Sequence, residues 1–300
     1  MGVIVTRDPE EFAARAQEFL EARIERNVLA TVVKDIVAGG YRDPPPLFAY
    51  ARGEQGDIAA AALRTPPWFL LAVGFDHDSA RSLIDLWLRE EPDLPGVTGT
   101  PESNRAIAQA WTGQTGGSTR TRRRMAVHEL GEVRDPPRPA PGGLRVPLPE
   151  ERDLMIEWMQ EFAREAEVVG ARTESMVDGR MGDGLLHVWD NGEPVSLIGL
   201  NHAVAGVVRI GPVFTPREHR RRGYAGTAVA AVSRLALARG ARTCTLSTDL
   251  DNPTSNKVYA EVGYDRVVDW EELAFEMAVT SFGDPQGRGG PSTVRMQCSA

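Results

Sequence analysis

The chain has 300 residues, of which 42% are hydrophobic and 25% are charged, a composition typical of a soluble globular protein of about two domains. Its 34 Lys and Arg residues against 42 Asp and Glu residues give a net charge of -8, which argues against general nucleic-acid binding because that requires a broad positive face. With no signal peptide, no bilayer-spanning run and two distant cysteines, we expect a cytoplasmic protein without a membrane partner or disulfide.

The amino-terminal half begins with a helical pattern over residues 10–36. Three apolar runs, at residues 47–51, 58–63 and 68–73, then predict strands, and residues 79–90 predict a helix. This half therefore has a succession of three strands followed by a helix.

An arginine-rich run and a proline-rich run follow. Residues 119–127, TRTRRRMAV, alternate like a strand, which predicts an exposed edge or face of a sheet. Residues 134–143, RDPPRPAPGG, contain prolines that no helix or central strand accommodates, and they predict a linker between domains at residues 1–133 and 144–280. The Gly-, Pro- and Ser-rich residues 281–300 predict a flexible tail.

The carboxy-terminal half begins with an amphipathic helix at residues 150–167, where apolar residues recur every four positions. Residues 185–189, 195–200 and 207–214 then predict three strands of an antiparallel meander. A turn at Asp190-Asn191-Gly192 is of the type that closes a hairpin between the first two strands.

Further elements complete the second half. A helix is predicted to end at Gly240 and is followed by a strand at residues 243–249. A short helix is predicted from Asn252 to Gly263. Two strands, at residues 264–270 and 273–280, are predicted to follow. The pattern indicates an α/β (α+β) fold in which mixed, mostly antiparallel sheets are flanked by helices.

The segment REHRRRGYAG, residues 217–226, lies between the third strand of the meander and the next helix. Unpaired N–H groups and the helix dipole at this point favour an anion such as a pyrophosphate. Gly223 allows close approach to the backbone, and the arginines at 220–222 add charge at the rim. A basic cluster on a solvated helix end is the alternative, but strand and helix are both in place here.

Two motifs in the second half resemble the signatures of the GNAT superfamily of N-acetyltransferases. Arg220, Gly223 and Ala225 match the R-x-x-G-x-G/A loop. In the downstream run NPTSNKVYAEVGY, an asparagine is followed seven residues later by a tyrosine and then by Gly-Tyr, at Asn252, Tyr259 and residues 263–264. The resemblance covers about residues 144–280. In detail, the chain is similar to the bacterial members of the family that have paired domains.

The resemblance implies that acetyl-CoA is the cosubstrate, bound beside the strand 207–214, and it implies no metal ion. The residues expected to bind it are Val213, Phe214, Thr215, Arg220, Arg221, Arg222, Gly223, Tyr224, Ala225, Gly226 and Asn252. Asn252 suits a helix cap, and Tyr259 lies two helical turns further on, so that its hydroxyl can face the departing thiolate. We therefore expect Tyr259 to be the general acid, the alternative being an ordinary packing tyrosine.

A general base is missing from the expected place. Many family members carry a glutamate on the fourth strand, whereas VVRIGPVFT has none. The base could come from Glu174, Asp178, His202 or Asp249, or the amine could arrive deprotonated. The alternative for His202 is a solvated loop residue, which its place at a hairpin turn favours, and the alternative for Asp249 is a turn cap. Cys244 alternates with Leu246 and is expected to be buried rather than nucleophilic.

The amino-terminal half resembles a GNAT-type domain that has lost its cofactor site. At the position of the arginine loop it has Phe75-Asp76-His77-Asp78-Ser79, where two carboxylates would repel a pyrophosphate and no glycine opens the backbone. We expect this half to shape the acceptor cleft or to support the fold.

Two classes of function follow from these observations. The first is an N-acetyltransferase, monomeric or homodimeric, that acetylates an amine of a small molecule or peptide, such as an amino sugar, a polyamine or a peptide amino terminus. The second is a CoA-binding regulatory or scaffolding protein without turnover. A nucleic-acid partner is not expected, because the charge balance is acidic.

Overall fold

A computed structural model describes residues 2–39, 43–168 and 172–277. In these ranges the chain forms one twelve-stranded mixed sheet with eight α-helices on its faces, so the predicted α/β fold class is confirmed. The strands are β1 Val3–Thr6, β2 Leu47–Arg52, β3 Ile58–Arg64, β4 Leu70–Val73, β5 Gly96–Gly99, β6 Ser118–Leu130, β7 Gly143–Arg145, β8 Leu186–Asp190, β9 Pro194–Leu200, β10 Val207–Phe214, β11 Thr243–Asp249 and β12 Tyr264–Glu276. The helices are α1 Pro9–Glu21, α2 Asn27–Val37, α3 His77–Glu90, α4 Pro101–Thr115, α5 Arg152–Glu165, α6 Thr173–Gly182, α7 Tyr224–Ala238 and α8 Pro253–Val262.

The two halves of the chain exchange strands at the centre of the sheet. The strand order is β1-β2-β3-β4-β5-β12-β6-β11-β10-β9-β8-β7. Strand β12, from the second half, pairs with β5 and β6 of the first half, and β6 pairs with β11 of the second half. Residues 134–143, predicted as a linker, therefore separate two halves along the chain whose strands share a single sheet.

Each half has one parallel strand pair and helices on both faces. Within the described ranges β4 pairs parallel to β5 and β10 parallel to β11, and the other strand pairs are antiparallel. In the first half, Trp87 of α3 and Trp111 of α4 are buried against one face, and Phe12 of α1 against the other. In the second half, α7 packs on one face and α5 on the other. Burial of these apolar side chains stabilises the sheet from both sides.

Several predicted elements are confirmed. Strands β10 and β11 have the predicted bounds, and β8, β9 and β10 form the antiparallel meander, with residues 190–192 in the turn between β8 and β9. The glycines at the ends of α7 and α8, Gly240 and Gly263, have φ values of 96° and 107°, a conformation that favours glycine.

Other predictions are wrong. Residues 10–36 form two helices, because the chain is extended at Arg23, with φ -141° and ψ 147°. The two strands predicted at 264–270 and 273–280 are the single strand β12, in which a register shift at Glu272 and Leu273 breaks the alternation. Residues 278–280 and the predicted tail at 281–300 lie outside the described residues.

The arginine run was predicted to be an exposed edge or face of a sheet, and in the structure it is a face rather than an edge. Strand β6 lies inside the sheet, between β12 and β11, although residues 118–121 of it are exposed on the sheet face. Strands β1, β5 and β7 and helices α4 and α6 were not predicted from the sequence, because they are short or weakly periodic.

None of the helices in the described ranges combines the length and the apolar composition needed to cross a bilayer.

The burial of His187, in β8, predicts that acid destabilises the fold. The side chain is buried, with 2% of the residue exposed, and burial lowers its pKa from 6.5 to about 4, with a further contribution from Arg239. Between pH 6.5 and 4, His187 binds a proton in the unfolded chain but not in the folded chain. The free energy of unfolding is therefore unaffected by His187 above pH 6.5 and falls as the pH drops towards 4. We expect the free energy of unfolding to fall by roughly 2 to 3 kcal/mol between pH 7 and 4.5 on this account.

Urea unfolding at pH 7, 5.5 and 4.5 measures this loss. His187→Gln should have a shallower pH dependence than the parent protein, whatever its stability at pH 7. The exposed His202, which contacts Asp183 at 3.0 Å, supplies the control variant His202→Gln. An unchanged pH slope in His187→Gln would contradict the assignment.

Candidate active site

Strands β10 and β11 diverge to leave an opening in the sheet of the second half. They pair only at Val207–Arg209 and Thr243–Thr245, whereas β10 remains paired with β9 as far as Phe214. A bulge lies between Ile210 and Val213, and Gly211 has a φ of 147°. A crevice between the carboxyl ends of parallel strands is a common ligand site, and here the edge of β10 that faces β11 is free to pair with an extended ligand.

The residues expected beside the thioester lie at the end of this edge. Phe214 is buried, and its carbonyl oxygen accepts a hydrogen bond from Ser196 Oγ at 2.9 Å. Ser196 Oγ is also 2.9 Å from Thr215 Oγ1. Pro212 has no N–H group. In the antiparallel ladder with β9, the N–H groups of Val213 and Phe214 point to opposite edges of β10, so one of the two faces the opening.

The predicted loop lies at the amino end of α7 beside this opening. Arg221 and Gly223 have φ values of 63° and 84°, and Gly223 is the residue that precedes the helix. No side chain in the described ranges caps this helix end. The N–H groups of Tyr224, Ala225 and Gly226 have no acceptor within the helix, and left-handed residues preceding such donors form a concavity suited to an anion.

The three arginines of the loop differ in their contacts. Arg220 donates from Nε to the carbonyl oxygen of Thr215 at 2.8 Å, and its Nη2 contacts Glu165 Oε2 at 2.7 Å. Arg217 contacts the other oxygen of Glu165 at 3.3 Å, and these arginines lower the carboxyl pKa against the effect of burial. Arg221 and Arg222 are exposed, and no ion pair within the described ranges involves them. Arg220 therefore holds the loop to β10, and the other two are available at the rim.

The proline-rich segment packs on the start of α7. Its Ala140 N–H donates to Thr227 Oγ1 at 2.9 Å, and the carbonyl oxygen of Arg138 lies 2.8 Å from where a Cβ on Gly223 would be. The requirement for glycine at 223 thus comes from its left-handed conformation and from the neighbouring segment. The sequence alone had indicated close approach of a phosphate as the reason for this glycine.

Asn252 caps α8, as predicted. Its Oδ1 accepts the N–H of Ser255 at 3.0 Å. Asn256, which the sequence analysis missed, donates from Nδ2 to the carbonyl oxygens of Asp249 and Asn252 at 3.0 and 2.9 Å, while its buried Oδ1 has no partner in the described ranges. Asn256 therefore fixes the end of β11 against the start of α8, and its spacing of one helical turn from Asn252 is the signal that could have identified it.

Tyr259 lies in the last turn of α8 and is half-buried against the core of the second half. Its ring packs edge to face with Tyr264, with 6.4 Å between centroids. Burial raises the pKa of the Tyr259 hydroxyl to about 12, so that it is protonated at neutral pH. No described residue forms a hydrogen bond with this hydroxyl, whereas Tyr264 is fully buried and bonds to Ser233 Oγ at 2.7 Å.

Cys244 is poorly suited to act as a nucleophile. It is fully buried in β11, as predicted, and burial raises its pKa to about 11. At neutral pH this side chain is a thiol, and only a thiolate would attack a thioester readily.

The four candidate bases lie in different surroundings. Asp178 makes a two-pronged ion pair with Arg152 at 2.6 and 2.9 Å, and His202 is an exposed loop residue paired with Asp183. Glu174 is exposed on α6. Asp249 ends β11, caps the turn by accepting the N–H of Asp251 at 2.8 Å, and lies 3.5 Å from Arg123. Asp249 is therefore the candidate at the border of the opening.

The corresponding helix start in the first half is closed by its own carboxylate. Asp76 accepts the N–H of Ser79 at 2.9 Å, and Ser79 Oγ accepts the N–H of Asp76 at 3.0 Å, which together form a capping box on α3. Hydrogen bonds from Ser79 lower the pKa of Asp76. A cavity of about 520 Å³ lies here, and Arg26, Asp76, Glu102 and Arg105 are among its lining residues.

Comparisons with known proteins identify a related family and related folds. Residues 151–264 match the model of the acetyltransferase (GNAT) family. Among solved structures, a GCN5-related N-acetyltransferase from Sphaerobacter thermophilus aligns with a TM-score of 0.58 and 19% identity over 92% of this chain and 95% of its own. No curated protein sequence matches the chain.

Two further solved structures also align with both halves. A tandem GNAT protein from the clavulanic acid biosynthesis pathway aligns with a TM-score of 0.58 and 14% identity, over 93% of this chain and 100% of its own. A GNAT-family acetyltransferase from Colwellia psychrerythraea aligns with a TM-score of 0.58 and 11% identity, over 92% and 100%. At these identities the likeness concerns the fold alone.

Proposed function

We propose that the chain, whose residues 151–264 match the model of the acetyltransferase (GNAT) family, transfers the acetyl group of acetyl-CoA to an amine of a small molecule or peptide. The observation that carries the proposal is the opening between β10 and β11, beside the uncapped amino end of α7. Acetyl-CoA carries its thioester on an extended arm, which fits the opening, and a pyrophosphate, which fits the amino end of α7.

The pyrophosphate would bind the N–H groups at the start of α7. Tyr224, Ala225 and Gly226 supply donors, and the exposed Arg221 and Arg222 add positive charge. Each hydrogen bond to a charged group contributes about 1.5 to 3 kcal/mol. The capping box at Asp76 supports the loss of the equivalent site from the first half, because its first-turn donor is already occupied by a carboxylate.

The reaction would proceed by direct attack. The amine nitrogen forms a bond to the acetyl carbon, a backbone N–H of Val213 or Phe214 stabilises the oxyanion, and the carbon–sulfur bond then breaks. The CoA sulfur leaves with the bonding electron pair, and the nitrogen loses one proton to a base or to water. The Tyr259 hydroxyl would donate to the sulfur.

The raised pKa of Tyr259 refines its role. A value near 12 keeps the hydroxyl protonated, as a donor requires. Since thiols ordinarily have a pKa of about 8.5, complete proton transfer to the thiolate is uphill. Tyr259 would thus act chiefly by hydrogen bonding to the developing charge, with water completing the protonation.

Calorimetric titration of the purified protein with acetyl-CoA, with adenosine diphosphate as a comparison, tests the cofactor assignment. One site per chain supports an intact second half and a closed first half. Two sites would overturn the assignment of the first half, and no binding would overturn the acetyltransferase assignment.

Thiol release separates turnover from binding. Acetyl-CoA is supplied with glucosamine, spermidine or alanylalanine, which represent an amino sugar, a polyamine and a peptide amino terminus. Amine-dependent thiol release supports the enzyme, whereas tight binding without release over a wide amine panel favours the alternative of a CoA-binding regulatory protein.

A further inference from the structure

The carboxyl end of α5 connects the two strands that border the opening. We refer to residues 165–167 as the α5 end. On one side Glu165 contacts Arg220, which is itself bonded to Thr215 just after β10. On the other side the α5 end contacts the central strand β6 beside Asp249, the last residue of β11. The α5 end thus spans the opening between β10 and β11.

Two arginines of β6 make the second set of contacts. Arg123 donates from Nη2 to the carbonyl oxygen of Ala166 at 2.6 Å, and its Nε lies 3.5 Å from Asp249 Oδ2. Arg122 donates from Nη2 to the carbonyl oxygen of Glu167 at 2.7 Å. The side chains are only 24% (Arg122) and 18% (Arg123) exposed, so they are held by these contacts.

A bulge explains how neighbouring residues of one strand reach the same helix end. In the β6–β12 ladder, Arg123 is opposite Glu272 and Thr121 is opposite Leu273, so Arg122 is the additional residue. A bulge redirects a side chain that regular alternation would place on the opposite face. Both guanidinium groups consequently meet the carbonyls of the two residues that follow α5, Ala166 and Glu167, at the end of the helix where its dipole favours positive charge.

Strand β6 belongs to the first half of the chain, whereas the opening belongs to the second. We propose that Arg123 is a positioning residue for the acceptor: it holds the α5 end and Asp249 together, and so sets the path by which the amine reaches the thioester. The inference rests on the proposed acetyl transfer. It assigns to the first half a direct part in the site, through a strand rather than through a second cofactor.

The charges support a cationic acceptor on this path. Arg123 has Ala166 O and Asp249 as partners and a weaker contact of 4.0 Å with Glu167, whose side chain is 76% exposed. Asp249 is 39% exposed. These two carboxylates, only partly neutralised by Arg123, lie where an ammonium group would approach.

The test compares Arg123→Met with Arg120→Met in the full chain. Arg120 lies on the same strand but pairs with the exposed Glu276 at 3.1 Å, so its loss serves as the control. We expect amide hydrogen exchange in the last turn of α5 to accelerate at least fivefold in Arg123→Met alone. The amine substrate is whichever of glucosamine, spermidine and alanylalanine reacts fastest with the parent protein. In Arg123→Met the KM for this amine should rise about tenfold, while the Kd for acetyl-CoA stays within twofold.

Arg123→Lys keeps the charge but reaches only one of the two partners, and should recover part of the amine KM. Unchanged exchange in the α5 end, or an unchanged amine KM, would overturn the proposal. If the parent protein fails to bind acetyl-CoA, the proposed function falls, while the exchange result still decides whether Arg123 holds the α5 end.

Discussion

Replacing Tyr259 by phenylalanine is expected to lower kcat for amine-dependent thiol release about 100-fold and to leave the Kd for acetyl-CoA within twofold. Removal of a general acid costs about 10²- to 10⁴-fold in rate, and the low end applies because a hydroxyl with a pKa near 12 is a weak acid. The affinity is retained because the hydroxyl forms no hydrogen bond with a described residue and the ring remains packed against Tyr264.

Steady-state kinetics from pH 7 to 10 check this expectation. Tyr259 is protonated throughout that range, so the ratio of the parent and variant rates should stay constant while both profiles keep the same midpoints. Tyr50→Phe, at a fully buried tyrosine of β2, is the control and should leave kcat unchanged. A loss in kcat of less than threefold in Tyr259→Phe would show that water alone stabilises and protonates the departing sulfur.

Replacing Gly223 by alanine is expected to weaken acetyl-CoA binding by 10- to 100-fold. The new Cβ would lie 2.8 Å from the carbonyl oxygen of Arg138, and the residue has a φ of 84°. Either the proline-rich segment or the loop must move, and movement of the loop displaces the N–H groups at the start of α7. A left-handed conformation costs a non-glycine residue about 1 to 2 kcal/mol.

Gly192 provides a matched control for the conformational cost. It has a φ of 88°, and no heavy atom lies within 4 Å of the added Cβ. Gly192→Ala should therefore lose stability in urea unfolding without a change in calorimetric affinity for acetyl-CoA. Equal affinities in the two variants would mean that the approach of Arg138 to Gly223 has no bearing on the loop.

The local parts of the site could be predicted from the sequence. The bounds of β10 and β11, the cap at Asn252 and the burial of Cys244 follow from alternation, turn residues and capping preferences between near neighbours. The position of the loop before α7 follows in the same way. These features depend on residues within a few positions of one another.

The non-local parts could not be predicted. Arg123 and Ala166 are 43 positions apart, and Glu165 and Arg220 are 55 apart, so neither contact leaves a local pattern. The arginine run could only be assigned to an exposed edge or face, because periodicity does not reveal strand partners; β6 is in fact central, with residues 118–121 exposed. The break between α1 and α2 at Arg23 was missed because no proline or glycine marks it.

Strand β12 lies between β5 and β6, and β6 lies between β12 and β11. This exchange of strands between the two halves affects how the chain folds while it is being synthesised. When β6 leaves the ribosome, its two neighbours in the finished sheet, β11 and β12, have not been translated, and the edge of β5 that β12 will cover is exposed. More than a hundred residues must follow before these strand edges are paired. Unpaired edges promote association with other chains, so a nascent chain halted within the second half should be more prone to aggregate than the completed protein.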